Sequence, residues 1–99
     1  MSNPARYAVE RLNDHFHLGL GKYARRLLEQ LLLNADEHGI VRGISQPQFA
    51  NALDCSKRAV EYAFAYLREA GVIAESAIDP HTGTMAHALA AWVAEYFSA

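Results

Sequence analysis

The sequence predicts a mainly α-helical domain, and three observations support this prediction. Helix-capping residues occur at Ser45 and again at Ser56, and each stands directly before a run of apolar residues at helical spacing. Gly71 follows the second run, and glycine is the residue type that most often ends a helix. Of the 99 residues, 52% are hydrophobic and 20% are charged, as in ordinary globular proteins. We therefore expect residues 1–99 to form a single domain with its own core.

Two helices are predicted before the first cap. The first begins at Asn3-Pro4, an N-cap followed by a proline that suits a first turn, and ends before Gly19. The second extends from about Lys22 to Asn34, and the β-branched pair Ile40-Val41 then predicts a short strand. The residues expected to be buried lie three or four apart: Ala5, Ala8, Val9, Leu12 and Phe16 in the first helix, and Ala24, Leu27, Leu28, Leu31, Leu32, Leu33 and Ala35 along the second.

Segment 45–73 has the pattern of a helix-turn-helix. Ser45 and Gln48 form a capping box, and Pro47 suits the first turn of the shorter helix. A turn at Asp54-Cys55 leads to Ser56, which caps a longer helix. The buried faces are expected to consist of Phe49, Ala50 and Leu53 in the shorter helix and of Val60, Ala63, Phe64 and Leu67 in the longer one.

The last third of the chain is predicted to contain one strand and one helix. Val72-Ile73 is expected to form a strand that pairs with Ile40-Val41, and the sequence AIDPHTGT that follows suits a hairpin turn. Beyond the turn, large apolar residues recur at helical spacing among alanines, so we expect mainly helix and a short or truncated wing. These residues are Met85, Leu89, Trp92, Val93, Tyr96 and Phe97.

The segment LLLNADEHGIVRGISQPQFANALDCSKRAVEYAFAYLREAGVI resembles the winged helix-turn-helix superfamily. It is most similar to the helix-turn-helix domains of phage and plasmid replication initiators and small bacterial repressors. The similarity covers about the middle half of the chain. It implies a winged helix-turn-helix with additional N- and C-terminal helices. It also implies a sequence-specific DNA-binding protein, either a transcriptional repressor or a replication or mobile-element accessory factor.

In that superfamily the start of the second helix usually contacts DNA in the major groove. The resemblance therefore implies that Ser56 and the neighbouring backbone N–H groups hold a phosphate. Lys57 or Arg58 would contact a guanine edge or a phosphate. The complete set of expected DNA-binding residues is Gln46, Gln48, Ser56, Lys57, Arg58, Glu61 and Tyr62.

The charge distribution keeps a second function open. The net charge is −2, whereas many nucleic-acid-binding domains are basic. Residues 42–69 hold four bases and three acids, a net charge of +1, while residues 70–99 hold three acids and no Lys or Arg. Relatives usually have Arg, Lys or Gln where this chain has Glu61, Tyr62 and Ala65. The alternative is a phage- or plasmid-encoded interaction module or inhibitor of a host complex, which would use Tyr62 and Tyr66 as contacts.

A homodimer is also predicted, because operator-binding proteins commonly act as two-fold dimers. The bulky stripe near the C-terminus would form its interface together with the apolar face of the first helix. The expected interface residues are Trp92, Val93, Tyr96 and Phe97. The alternative is that this stripe packs within one chain.

We expect no enzyme activity, metal or cofactor. His15 and His17 lie two residues apart and would point to opposite faces of a helix, and Cys55 is expected to be a small turn residue. Apolar runs are shorter than the roughly 18 residues that a membrane-spanning helix needs. The single cysteine and a polar N-terminal segment without signal-peptide features indicate a cytoplasmic protein.

Overall fold

Helices form most of the protein and are accompanied by a small antiparallel sheet, in a computed structural model that describes residues 4–98. The mainly α-helical class is therefore confirmed, while the predicted cap Asn3 lies outside the described residues. None of the helices in this range is both long enough and apolar enough to span a bilayer. The elements are α1 Pro4–His15, α2 Lys22–Asn34, β1 Ile40–Val41, α3 Gln46–Leu53, α4 Lys57–Glu69, β2 Ile73–Ile78, β3 Met85–Leu89 and α5 Ala91–Ser98.

Helix α2 lies at the centre of the core, between α1, α3 and α4. Its residues Leu27, Leu28 and Leu31 are completely buried, as predicted. Leu33 was predicted to be buried as well, but it is 58% exposed because it lies about 200° around the helix from Leu31. The prediction for Phe16 is also wrong: this residue is 42% exposed, because α1 ends one residue before it.

The two predicted caps form as the sequence indicates. The Ser45 hydroxyl accepts a hydrogen bond from the Gln48 backbone N–H at 3.3 Å, and the Gln48 side chain accepts one from the Ser45 N–H at 2.7 Å. The Ser56 hydroxyl accepts from the Ala59 N–H at 3.1 Å. Gly71, with φ +74°, follows α4 and redirects the chain. The buried residues of α4 are the four predicted ones, Val60, Ala63, Phe64 and Leu67.

The sheet has the strand order β1-β3-β2, with both pairs antiparallel. The predicted pairing of Val72-Ile73 with Ile40-Val41 is therefore wrong, because β3 lies between the two strands. Ile40 is paired with Ala88 and Val41 with His87. Strand β3 pairs with β2 in a hairpin and with β1 on its other edge. No local signal in β1 or β3 specifies this pairing of distant segments.

Two predictions for the last third are wrong for one common reason. Residues 85–89 form strand β3 instead of the start of a helix, and the β2–β3 hairpin is complete instead of truncated. Met85 and Leu89 are four residues apart, a spacing that suits a helical face but also one face of a strand. His87 lies between them on that same face and is buried, although histidine is usually polar surface. The helix, α5, begins only at Ala91.

Candidate functional site

The exposed face of the first two turns of α4 is the candidate site. Lys57, Arg58, Glu61 and Tyr62 are all exposed and line a shallow recess of about 510 Å³, which we call the α4 recess. Residues three and four apart on a helix are neighbours on its surface, so the sequence spacing places Glu61 beside Lys57 and Arg58, and Tyr62 beside Arg58. The opposite side of α4 is buried in the core, which fixes the direction in which the recess faces.

Arg58 and Tyr62 form an ordered pair within the α4 recess. The Nε and Nη2 groups of Arg58 donate hydrogen bonds to the Tyr62 hydroxyl at 3.3 and 3.1 Å. The guanidinium carbon also lies 5.5 Å from the centroid of the Tyr62 ring, within the range of a cation–π contact. Both side chains remain in solvent, since Tyr62 is 63% exposed.

The cations of the α4 recess are not neutralised by ion pairs. Among residues 4–98, neither Lys57 nor Arg58 pairs with a carboxylate, whereas Arg6, Arg25 and Arg42 each do. Lys57 and Arg58 occupy the first two helical positions of α4, where cations oppose the helix dipole at a cost of about 0.3–1 kcal/mol each. The Ser56 hydroxyl caps Ala59, and the backbone N–H groups of the first turn have no intrahelical acceptor. With Glu61 included, the α4 recess contains two cations and one carboxylate, a net charge of +1.

The two glutamines of α3 are placed differently. Gln48 is exposed, and because its side-chain oxygen is committed to the capping box, its amide NH₂ remains free to donate. The side-chain oxygen of Gln46 is buried and has no hydrogen-bond partner among the described residues. Gln46 lies in a mainly apolar groove of about 330 Å³ that separates α3 from the hairpin and has Lys57 at its edge. Gln48 is therefore better placed than Gln46 to contact a ligand.

The β2–β3 hairpin adds no cation to this surface. The carboxylate of Asp79 accepts hydrogen bonds from the His81 N–H at 3.1 Å and from the Thr82 hydroxyl at 3.3 Å, which closes the turn. Ile78, the last residue of β2, is 69% exposed. Residues 70–99 include three acids and no Lys or Arg. The hairpin therefore has no Lys or Arg side chain for contact with phosphates.

Arg42, which precedes α3, is held away from the α4 recess by two carboxylates. It donates to Asp36 at 2.8 Å and lies 3.9 Å from Asp79. Asp36 also accepts from the backbone N–H of Ile40 at 2.9 Å, and this hydrogen bond is the main cause that holds the pKa of its carboxyl below the usual value. Arg42 therefore stabilises the loops around β1 and does not supply a free charge.

His87 joins the hairpin to α4, and the sequence analysis missed it. It is 1% exposed, its ring stacks on Phe64 with the centroids 4.4 Å apart, and its Nδ1 lies 2.8 Å from the Ser76 hydroxyl. Burial lowers its pKa to about 4, and the charge of Arg68 adds to this effect. The ring is therefore neutral at neutral pH. Alternation of Met85, His87 and Leu89 was the signal that could have indicated this strand.

Most of the predicted dimer residues contact other parts of the same chain. Val93 is completely buried, so its assignment to an interface is wrong. The Trp92 indole donates to the carbonyl of Gly71 at 3.0 Å, and its ring lies 4.9 Å from that of Phe16. Tyr96 and Phe97 are half-buried and line a shallow depression with two residues of α1, Ala8 and Arg11. Only Tyr96 and Phe97 therefore offer a substantial surface to a second copy.

The remaining candidates from the sequence are dispersed. His15 is the last residue of α1, while His17 lies in the following loop with φ 52°. Cys55 is half-buried in the turn between α3 and α4. Tyr66 is committed to the loop before α2, because its hydroxyl donates to the carbonyl of Gly19 at 3.0 Å. Within residues 4–98, no three His, Cys, Asp or Glu side chains come together in a way that could hold a metal ion.

Comparison with protein-family models, with curated proteins and with solved structures found no match for this chain. The function is therefore argued from the residues of the α4 recess.

Proposed function

We propose that the protein is a winged helix-turn-helix protein that binds double-stranded DNA through the α4 recess. It would act as a transcriptional repressor or as a replication or mobile-element accessory factor in the cytoplasm. One observation carries the proposal: Lys57 and Arg58 stand exposed and without carboxylate partners at the start of a helix that is braced by the core behind it. A rigid cationic helix tip is what binding in a major groove requires.

The arrangement of elements supports the winged helix-turn-helix assignment. The order from α2 to β3 is helix, strand, two helices connected by a tight turn, and a hairpin. The sheet order β1-β3-β2 lets the hairpin lie beside α4, as the wing of such a domain does. Helix α4 has 13 residues and is therefore about 20 Å long, which suits a groove roughly 12 Å wide.

A two-fold dimer would extend the binding site. Two copies of α4 could then contact successive major grooves about 34 Å apart. Tyr96 and Phe97 of α5 are the residues we assign to that dimer contact.

The test is binding to duplex DNA of random sequence, measured by fluorescence anisotropy at several salt concentrations. We expect binding at low salt, with the logarithm of the affinity falling linearly as the logarithm of the salt concentration rises. Arg58→Ala and Lys57→Ala should each reduce the steepness of this fall by about 0.9 if each removes one phosphate contact. The absence of low-salt binding by the wild-type protein would refute the proposal.

Arg11→Ala is the matched control for Arg58→Ala. Both arginines lie over an exposed tyrosine of their own helix, with guanidinium-to-ring distances of 5.7 Å for Arg11 and 5.5 Å for Arg58. They lose the same charge on substitution but belong to different surfaces. An equal loss in both variants would mean that net charge, and not the α4 recess, determines binding.

The hairpin favours a second candidate function, a phage- or plasmid-encoded module that binds a host protein. Ile78 is highly exposed at the end of β2, and Tyr62 provides a large exposed aromatic surface on α4. Exposed apolar and aromatic residues are typical contacts between proteins. Affinity capture from host lysate with and without nuclease separates the two functions. A partner that resists nuclease, and is lost with Ile78→Ser but retained with Arg58→Ala, would support this second function.

A further inference from the structure

We infer that Arg58 and Tyr62 form a guanine-recognition unit, in which Arg58 contacts the base and Tyr62 is the positioning residue. The inference rests on the proposed DNA-binding function and names the base that the α4 recess selects. It depends on which guanidinium N–H groups the structure leaves free.

Tyr62 occupies one defined edge of the guanidinium group. A guanidinium carries five N–H donors. Its Nε–H and one Nη2–H point to the Tyr62 hydroxyl, and both hydrogen bonds end on the same oxygen atom. Three donors remain, two on Nη1 and one on Nη2. One N–H from each of these two nitrogens points outward in parallel from the end of the group, and among residues 4–98 no carboxylate lies against this end.

This free end matches guanine and excludes the other bases. Guanine presents two acceptors, N7 and O6, side by side in the major groove. Adenine presents one acceptor and one donor there, so one N–H of the arginine would face another donor. Cytosine presents a donor, and thymine a single acceptor beside a methyl group. Two parallel donors therefore select guanine.

Tyr62 fixes the direction of the free end of the Arg58 guanidinium group. Helical side chains lean towards the N-terminus, so the Tyr62 ring reaches back over Arg58 four residues earlier. The hydroxyl holds one edge of the guanidinium group, and the guanidinium carbon lies 5.5 Å from the ring centroid. An arginine held in this way loses little rotamer freedom when it binds a base. Removal of the hydroxyl alone should therefore weaken the selection of guanine.

The experiment begins with selection of bound sequences from a random duplex library. In the selected duplex, each guanine is then replaced in turn by 7-deazaguanine, which lacks the N7 acceptor, or by adenine with thymine as its new partner. Binding to each altered duplex is measured by anisotropy. At one guanine of each half-site, the adenine replacement should weaken wild-type binding by about tenfold or more. Arg58→Ala and Tyr62→Phe should bring the guanine-to-adenine affinity ratio at that position towards one.

This ratio is a readout that a purely structural role would not change, because partial unfolding lowers the affinity for every duplex alike. The matched controls are Arg11→Ala and Tyr7→Phe, which alter a similar exposed arginine–tyrosine contact on α1. Both controls should keep the wild-type ratio.

Three results would overturn the inference while leaving DNA binding in place. In the first, the wild type binds duplexes without preference for guanine at any position. In the second, Arg58→Ala keeps the full ratio, which would mean that Arg58 does not contact the base. In the third, Tyr62→Phe keeps it, which would mean that the hydroxyl does not position Arg58. Failure to bind any duplex at low salt is a different result, and it would refute the proposed function together with the inference.

Discussion

The α3–α4 segment and the β2–β3 hairpin border the same groove, but they present opposite chemistry to solvent. The exposed start of α4 carries Lys57 and Arg58 without ion pairs. The hairpin presents Ile78 and Glu75, and it contains no Lys or Arg. A polyanion that approached this side of the molecule would therefore be attracted by the helix alone. The comparison indicates that contact with DNA, if it occurs, depends on one helix and not on a helix and a wing together.

Helix α4 and the hairpin also differ in the side chains that they bury. On α4 the polar residues are outside and the buried face is apolar. The hairpin turns two polar side chains inward instead, since His87 and Asp79 are both buried. His87 stacks on Phe64, which also lies 5.4 Å from Phe49 of α3. The hairpin thus acts as a support for α4, and changes at this junction should be the most damaging.

Phe64→Ala should have the largest effect on stability. Phe64 is 1% exposed and touches both the hairpin and α3, so its removal leaves a cavity between the two regions. We expect the free energy of unfolding to fall by about 3–5 kcal/mol, measured by urea denaturation. Tyr62→Ala, on the exposed side of the same helix, should change it by no more than about 0.5 kcal/mol. Similar losses in the two variants would contradict the division of α4 into a bracing face and a binding face.

The His87 contact should make stability depend on pH. The pKa of His87 is about 4 in the folded protein against 6.5 for an ordinary histidine, so between these values the unfolded chain binds a proton that the folded chain does not. The free energy of unfolding should therefore fall as the pH drops from 6.5 to 4, by roughly 3 kcal/mol in total. Chemical denaturation at several pH values measures this slope.

His87→Gln should flatten the slope in that window, because it removes the titrating group. Asp36→Asn is the control: the pKa of Asp36 lies below its usual value of 3.8, so the stability that this carboxylate contributes is lost only at lower pH. An unchanged slope in His87→Gln would show that the junction between hairpin and helix does not exclude the proton.

Local signals explain which parts of this fold could be predicted from sequence. The bounds of α3 and α4 follow from Ser45, Ser56 and Gly71, because caps and stops act within a few residues. Strand β3 could not be found in the same way, since its two alanines favour helix and one of its two partner strands, β1, is far away in sequence. The burial of His87 had no local signal either, because it depends on stacking against Phe64 of another element.

The same distinction between local and non-local signals applies to the candidate site. Exposure of Lys57 and Arg58 follows from the phase of α4, and the spacing of four residues is sufficient to bring Arg58 to Tyr62. Burial of the Gln46 oxygen and the commitment of Tyr66 to Gly19 depend on how the helices pack against other segments. Sequence spacing alone does not determine these contacts.

A moderate effect is expected from the caps of the helix-turn-helix. Ser45→Ala removes the acceptor for the Gln48 N–H and should reduce the free energy of unfolding by about 1 kcal/mol. Ser56→Ala, which removes the corresponding bond to Ala59, should have a similar cost. Ser76→Ala tests the hairpin in the same assay. A negligible loss in both cap variants would mean that tertiary packing alone holds these two helices.

The variant with the smallest expected effect on stability, Ile78→Lys, tests most directly whether the hairpin approaches DNA. Ile78 is 69% exposed, so Ile78→Lys should change the free energy of unfolding by no more than about 0.5 kcal/mol. If the hairpin lies against the duplex, the new cation should contact one phosphate and make the salt dependence steeper by about 0.9. Low-salt affinity should then rise severalfold, whereas Ile78→Gln should have no such effect. An Ile78→Lys variant with wild-type salt dependence would place the hairpin away from DNA, and α4 would then be the sole contact of this side of the molecule.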